Sequence, residues 1–214
     1  GLRMNNFELV KLISSFVIGD GYMRLRGRNA NYAFKQIAKH GDYVRWQADI
    51  LSSVTGVRVF EVGGFTDKNG VNHQPVVGLE THSHPLFTTI FNRNYFGGRK
   101  TVSLHDVKNF DWQSLAIWYM DDGYILRSAD KSKRGGVYLC TDNFNEAEVT
   151  MLQKLLYANF NLPFSLQRRG FTFRLHLTPK NTQVFLDGVA PFMFDSFKYK
   201  LHTENTAQAV DGIV

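Results

Sequence analysis

Two short segments of the chain set an acid at the end of an apolar run: Gly19-Asp20-Gly21 and Asp121-Asp122-Gly123. The first closes Leu-Ile-Ser-Ser-Phe-Val-Ile over residues 12–18, the second closes Ser-Leu-Ala-Ile-Trp-Tyr-Met over 114–120, and a tyrosine follows each, Tyr22 and Tyr124. A helix end leaves carbonyl oxygens without intrahelical partners where the helix dipole is negative. A carboxylate added there, Asp20 or Asp122, completes a set of hard oxygen ligands suited to Mg²⁺, with room for water and a phosphate oxygen. One Asp-Gly at a helix end is most often a plain turn; the same arrangement at two matched places is a stronger signal.

The elements that must carry these acids also repeat. Asp20 and Asp122 lie 102 positions apart in a chain of 214 residues. After the first come alternating basic residues (22–28), a strand-like stretch (31–38), a helix (42–54) and a hairpin (57–81). Its turn, Thr66 to Gly70, contains an Asn-Gly pair suited to positive φ. A helix from Pro85 ending near Arg99-Lys100-Thr101 completes the set. After the second come strand stretches (124–128 and 137–141), with Arg134-Gly135-Gly136 as a looser turn. Next is a helix (146–160) capped by Asn143 or Asn145, with Glu146 and Glu148 in its first turn. Strands within 164–178 and a helix ending near Lys198 to Leu201 follow. Both halves read as αββαββα, an α+β unit used twice. Residues 1–103 and 112–214 are the expected repeats and 104–111 the linker. The two motif helices are apolar and therefore buried, most simply against each other, and Ser14, Ser15, Gly19, Ser114 and Ala116 permit close approach. Packed side by side, they bring Asp20 and Asp122 out together, and a cation between them relieves the repulsion of the two carboxylates.

The pair of segments, 13–21 and 115–123, resembles the two motifs of a single-chain LAGLIDADG homing endonuclease. The second, ending Met-Asp-Asp-Gly, is similar to the branch with that second motif, whereas the first keeps chiefly Gly-Asp-Gly. The resemblance covers nearly the whole chain and implies the homing endonuclease fold, in which the two sheets form a saddle over duplex DNA. It assigns metal binding to Asp20 and Asp122, with Gly19 and Asp121 at the positions whose carbonyls assist. It also implies a basic residue in each half, matched by Lys100 and Lys200, that offsets phosphate charge or orients solvent. Gln36 and Asp142 are candidates for positioning water. Mg²⁺ is the expected metal, with Mn²⁺ substituting and Ca²⁺ supporting binding with little cleavage. The implied products carry short 3′ overhangs.

Alternation supplies a surface for DNA. Tyr22, Arg24, Arg26 and Arg28 share a strand face, and arginine pairs bidentately with guanine in the major groove. The bland reading is a charged edge that blunts strand aggregation. Lys35, Gln36 and Lys39 extend this polar surface. In the second half Leu126 and Ser128 stand at the matching positions while Arg127 has opposite parity, so either a bulge turns Arg127 or this half binds differently. Its basic residues gather at Lys131, Lys133 and Arg134 and at Arg168 and Arg169. Phe171 to Leu177 alternates, with Thr172, Arg174 and His176 outward.

Composition agrees with a polyanionic partner. There are 25 Lys plus Arg against 19 Asp plus Glu, a net charge of +6, and 43% hydrophobic residues, enough to bury a core. The basic excess is uneven: residues 1–107 carry 13 basic and 8 acidic side chains, residues 108–214 carry 12 and 11. Cys140, the one cysteine, can form no internal disulfide, so an intracellular site is expected, cytoplasm or organelle. No apolar run is long enough for a membrane span and no secretory signal core begins the chain. A phosphate-binding Gly-rich loop followed by Lys-Ser or Lys-Thr is also missing, which argues against an NTPase. His73, His82 and His84 could suggest a metal cluster, but His82 and His84 have no matching acidic or cysteine ligands nearby, so surface loops are the favoured reading. The expected protein is a monomeric site-specific double-strand DNA endonuclease with a long pseudo-palindromic or asymmetric target. The rival is a non-cutting nucleic-acid-binding protein of the same fold, a splicing cofactor for intron RNA or a regulator. A basic α+β structural protein with incidental Asp-Gly turns is the third possibility.

Overall fold

The structure, a computed structural model, describes residues 4–130 and 132–201. Among them no helix is long and apolar enough to cross a membrane. The chain divides into two compact units: one takes the chain up to Gly19 and from Asn94 onward, the other is Asp20–Arg93.

In the Asp20–Arg93 unit, β1 (Tyr22–Arg26) turns at Gly27, whose φ is +68°, into β2 (Asn29–Ile37). Helix α2 (Gly41–Leu51) leads to β3 (Val57–Val62). A small hairpin, β4 (Phe65–Thr66) and β5 (Asn72–His73), precedes β6 (Val76–Thr81) and α3 (Pro85–Asn94). Only Gly70 of the Asn-Gly pair has positive φ, while Asp67 closes the turn by accepting from the Asn69 and Val71 amides. The antiparallel sheet has the order β1-β2-β6-β3. Its inner face and α2 bury Tyr32, Phe34, Tyr43 and Leu79, with Phe34 and Tyr43 edge to face at 5.4 Å.

The other unit begins with α1 (Asn6–Ile18), capped by Asn5, whose side chain accepts from the Glu8 amide. It resumes with the β7–β8 hairpin (Tyr95–Phe96, Arg99–Lys100), α4 (Leu104–Val107) and α5 (Trp112–Asp122). Then come β9 (Gly123–Ile125), β10 (Val137–Leu139), α6 (Glu146–Phe160), β11 (Ser165–Arg169), β12 (Thr172–Leu177) and α7 (Pro179–Val189). The sheet order β9-β10-β12-β11 repeats the topology of the first sheet element for element. Helices α1 and α5 pack on each other, and Ser14, Ser15, Ser114 and Ala116 are all buried. Both helices are apolar around most of their circumference, as burial on several sides requires.

Several local features differ from expectation. The Pro85 helix stops at Asn94, because Gly97 and Gly98 adopt φ of +57° and +77° and fold Arg99-Lys100 back as a hairpin. The last helix stops at Val189, and residues up to Leu201 form 3₁₀ turns. The expected linker contains α4. Gly135 and Gly136 do not form an open turn. They are buried, and any side chain at Gly135 would strike the Leu126 carbonyl, 1.4 Å from its Cβ position.

Candidate metal centre and nucleic-acid face

At the end of α1 the backbone leaves the helix at Gly19, and a Cβ there would lie 2.1 Å from Asp121 Oδ2. Glycine is required by this close approach rather than by its φ of −89°. The ends of the two motif segments thus meet through Gly19 and the Asp121 carboxylate. Lys100, delivered by the β7–β8 hairpin, donates to the Gly19 carbonyl at 2.9 Å. At the end of α5, Lys200 donates to the carbonyls of Met120 (2.7 Å), Gly123 (2.9 Å) and Tyr119 (3.3 Å). Its own carbonyl accepts from the Tyr119 hydroxyl at 2.6 Å, and its ammonium lies 5.8 and 5.6 Å from the Tyr119 and Phe197 ring centres. Burial drives the Tyr119 phenol far above its ordinary pKa, so it is a neutral donor. Both helix ends therefore already receive a cation, as their dipoles favour.

The two acids have different surroundings. Gln36 of β2 donates through Nε2 to Asp20 Oδ2 at 2.9 Å. The Asp122 carbonyl accepts from the Cys140 amide at 2.8 Å. Register fixes the counterpart of Gln36: Tyr22 opposes Ala33, and Tyr124 opposes Tyr138. Three residues on from each partner stand Gln36 and Thr141, not Asp142. The Thr141 hydroxyl donates to the Phe173 carbonyl. Asp142 instead accepts from Thr172 (2.8 Å) and from Arg174 Nε (2.9 Å), so it orders a strand face. Burial pushes the Cys140 thiol up, which leaves it a protonated packing group just beyond β10.

The outer face of the β1-β2-β6-β3 sheet carries Arg24 and Arg26 as expected, both reaching Glu80 of β6. Arg28 is not on that strand; it lies in the turn after Gly27. Lys35 and Lys39 are exposed. In the second sheet β9 is only three residues long, so Leu126, Arg127 and Ser128 fall beyond it and no arginine row forms. An aromatic row takes its place: Tyr124 stacks on Tyr138 at 5.1 Å, and Tyr138 lies 4.6 Å from His176. Arg174 Nη1 donates to the Tyr124 hydroxyl, and Tyr138 donates to Gln167. Burial lowers the His176 pKa and keeps the ring neutral near pH 7. Arg168 covers the Phe173 ring and Arg169 is exposed. Lys133 pairs with Asp130 and Arg134 with Gln183, whereas Lys131 lies outside the described residues.

Two sheets of identical strand order, each following an apolar helix that ends in an acid, match one known profile. It covers residues 12–185 and is that of the LAGLIDADG DNA endonuclease family. The chain belongs to this family. It is 26% identical over 211 residues to Protein RecA of Mycolicibacterium flavescens, covering 93% of this chain and 47% of that protein, so it spans about half the length of this relative. It is 22% identical over 202 residues to cytochrome b mRNA maturase bI2 of Debaryomyces hansenii, covering 91% and 73%. Among solved structures it resembles the homing endonuclease I-WcaI bound to its DNA recognition sequence, with TM-score 0.77 and 22% identity over 94% of this chain and 88% of that one. It also resembles I-DmoI in complex with DNA and Mn, with TM-score 0.52 and 14% identity over 86% and 97%. At these identities the likeness establishes the LAGLIDADG fold.

Within that fold, three residues of the first sheet escaped the reading of the sequence. Arg58, Asn31 and Glu80 join Arg24 and Arg26, and only the pairing of β6 with both β2 and β3 brings them together. His73 pairs with Asp67 and stacks on Phe65 in the β4–β5 hairpin. Among the described residues no group of three or more His, Cys, Asp or Glu side chains gathers as a metal cage.

Proposed function

We propose that this LAGLIDADG protein is a site-specific, metal-dependent double-strand DNA endonuclease. It would hydrolyse one phosphodiester in each strand across the minor groove and leave short 3′ overhangs. The observation that carries this is the repeated helix end: an acid beside main-chain carbonyls that already accept an ammonium, once in each motif. Such carbonyl and carboxylate oxygens fit a hard divalent cation. Asp20 and Asp122 would be side-chain ligands to divalent metal ions, with the carbonyls of Gly19 and Asp121 assisting and Mg²⁺ preferred, Mn²⁺ substituting. The bound metal would supply charge neutralisation at the scissile phosphate and a more acidic attacking water. Gln36, hydrogen-bonded to Asp20, orients one carboxylate. Lys100 and Lys200 keep positive charge at the helix ends, where phosphate charge must be offset. Arg24, Arg26 and Lys35 on one sheet and Arg174 and His176 on the other would contact duplex DNA as a monomer. The Met-Asp-Asp-Gly ending of the second motif supports the branch of the family that carries it.

Kinship over most of the chain with a cytochrome b mRNA maturase supports a second activity on intron RNA. Both acids are nevertheless present, and a module that only bound a polyanion would gain nothing from them. The deciding experiment is selection of cleaved sequences from a randomised duplex library in Mg²⁺, with Ca²⁺ as the binding-only control. Asp20→Asn and Asp122→Asn should each abolish double-strand cleavage while affinity in Ca²⁺ changes by less than about threefold, a fraction of 1 kcal/mol. Full cleavage by the double variant would overturn the assigned roles.

A further inference from the structure

Glu80 occupies the centre of the first sheet's outer face. Its Oε1 accepts from Arg24 Nη2 at 2.8 Å, Arg26 Nη2 at 3.4 Å and Asn31 Nδ2 at 3.3 Å, and its Oε2 from Arg58 Nη2 at 3.4 Å. These donors come from β1, β2 and β3 and converge on β6. In the cross-strand row Ala33-Glu80-Arg58, the alternation of side chains puts Glu80 on the same face as Arg24, Arg26 and Lys35. Glu61, the other acid in the four strands, has opposite parity and pairs with Arg45 of α2. Glu80 is therefore the one carboxylate that these strands place on a face otherwise suited to a polyanion.

Stability does not account for it. The arginine side chains are 44%, 53% and 68% exposed, and exposed ion pairs contribute about 0 to 1 kcal/mol. The Arg24 guanidinium holds the Glu80 carboxyl below the usual carboxylate range, so it is a full negative charge at neutral pH. That charge opposes phosphate binding. What it supplies is direction: each guanidinium engages Glu80 through Nη2, and its other N–H donors are left for something else. Phosphate contacts set register, whereas base-edge contacts carry sequence information. The second sheet shows the same device on a smaller scale, with Asp142 aligning Arg174. At the position matching Glu80 stands His176, on a face with no arginine row.

We propose that Glu80 is a specificity-determining positioning residue: it holds Arg24, Arg26 and Arg58 in fixed directions and bars phosphate from the middle of this face, so that the sheet reads base edges. The proposal rests on the DNA-binding function above. The test is selection of bound sequences from a randomised duplex library in Ca²⁺, with wild type, Glu80→Gln and Glu80→Asp in parallel, together with titration of a scrambled duplex across salt. In Glu80→Gln, sequence preference should fall in one contiguous block within one half of the selected site. Affinity for the scrambled duplex should rise about three- to tenfold with a salt slope steeper by about one. Glu80→Asp, which keeps the charge, should fall between the two, and it carries the test alone if Glu80→Gln melts well below wild type. Unchanged preferences in a folded variant, whatever the affinity, would overturn the role of Glu80. A wild type that selects no sequence at all would overturn the DNA function and this inference with it.

Discussion

Lys100 and Lys200, one hundred positions apart, occupy matched places in the repeat but close their helices differently. Lys200 satisfies three carbonyls at the end of α5 and lies over two rings, whereas Lys100 donates to the Gly19 carbonyl. Charged hydrogen bonds contribute about 1.5–3 kcal/mol when their loss strands a partly buried acceptor. Lys200→Met should therefore cost about 3 kcal/mol in urea denaturation. A cost well below about 1 kcal/mol would mean that the carbonyl contacts of Lys200 contribute nothing net. Gly19 and Asp121 give a sharper test, since any Cβ at Gly19 meets the Asp121 carboxylate. Overpacking of this kind costs about 1–3 kcal/mol. Gly19→Ala should be destabilising by that amount in wild type and much less so beside Asp121→Gly, which removes the carboxylate and also the Asp121 Cβ that would lie 2.7 Å away. A double-mutant cycle with no coupling would contradict the contact.

Helix α6 is held at its start by a reciprocal pair. Asn145 accepts from the Glu148 amide, and Glu148 accepts from the Asn145 amide. Glu148 also accepts from Arg99 and from the Val102 amide, tying the β7–β8 hairpin that delivers Lys100 to the start of α6. Asn145→Ala should cost about 1 kcal/mol. Glu148→Ala should cost more and should also shift Lys100, which an NMR probe at Lys100 would register. Helices α1 and α5 are tied in turn by Lys11, which donates to Asp111, the N-cap of α5, at 2.7 Å. Burial pushes the Asp111 carboxyl up, but the bonds from Lys11 and Ser114 outweigh it and hold the group below its ordinary range. Burial likewise pulls Lys11 down, and its bonds to Asp111 and Glu8 reverse that. A carboxyl lowered on folding stabilises above its unfolded pKa, and this is lost as pH falls through the folded value. A raised lysine stabilises below its unfolded pKa, and this is lost as pH rises through the folded value. Lys11→Met should lower stability at pH 7 and flatten its decline both in acid below about pH 4 and in alkali above about pH 10. An unchanged pH profile would remove the pair from the stability of these helices.

Across the whole chain the excess charge of +6 falls mostly in residues 1–107, and the two sheets differ accordingly. One presents arginines gathered by Glu80, the other a row of Tyr124, Tyr138 and His176. Under the proposed function the first should dominate the salt dependence of DNA binding. Lys35→Gln, at an exposed position on the same sheet, is expected to reduce the salt slope by about one. Tyr138→Ala should leave the slope unchanged while relaxing preference in one half of the target. Equal slope changes in both variants would mean that the aromatic face also works through phosphate.

The sequence by itself determined the α+β repeat, the two buried motif helices, the Asp-bearing helix ends and a cap by Asn143 or Asn145, because periodicity, capping and turn chemistry act over a few residues. It also placed Arg24 and Arg26 on one face, since side chains alternate along any strand. Only the tertiary structure decided what those faces contain. Arg24 and Glu80 are 56 positions apart, and Lys100 and Gly19 are 81. Their meeting depends on strand register and on where a helix gives way to a hairpin. Thr141 rather than Asp142 matches Gln36 for the same reason: a shift of one residue in pairing turns a side chain to the other face. Local preference selects the elements, and the mutual packing of elements distant in the chain selects the partners.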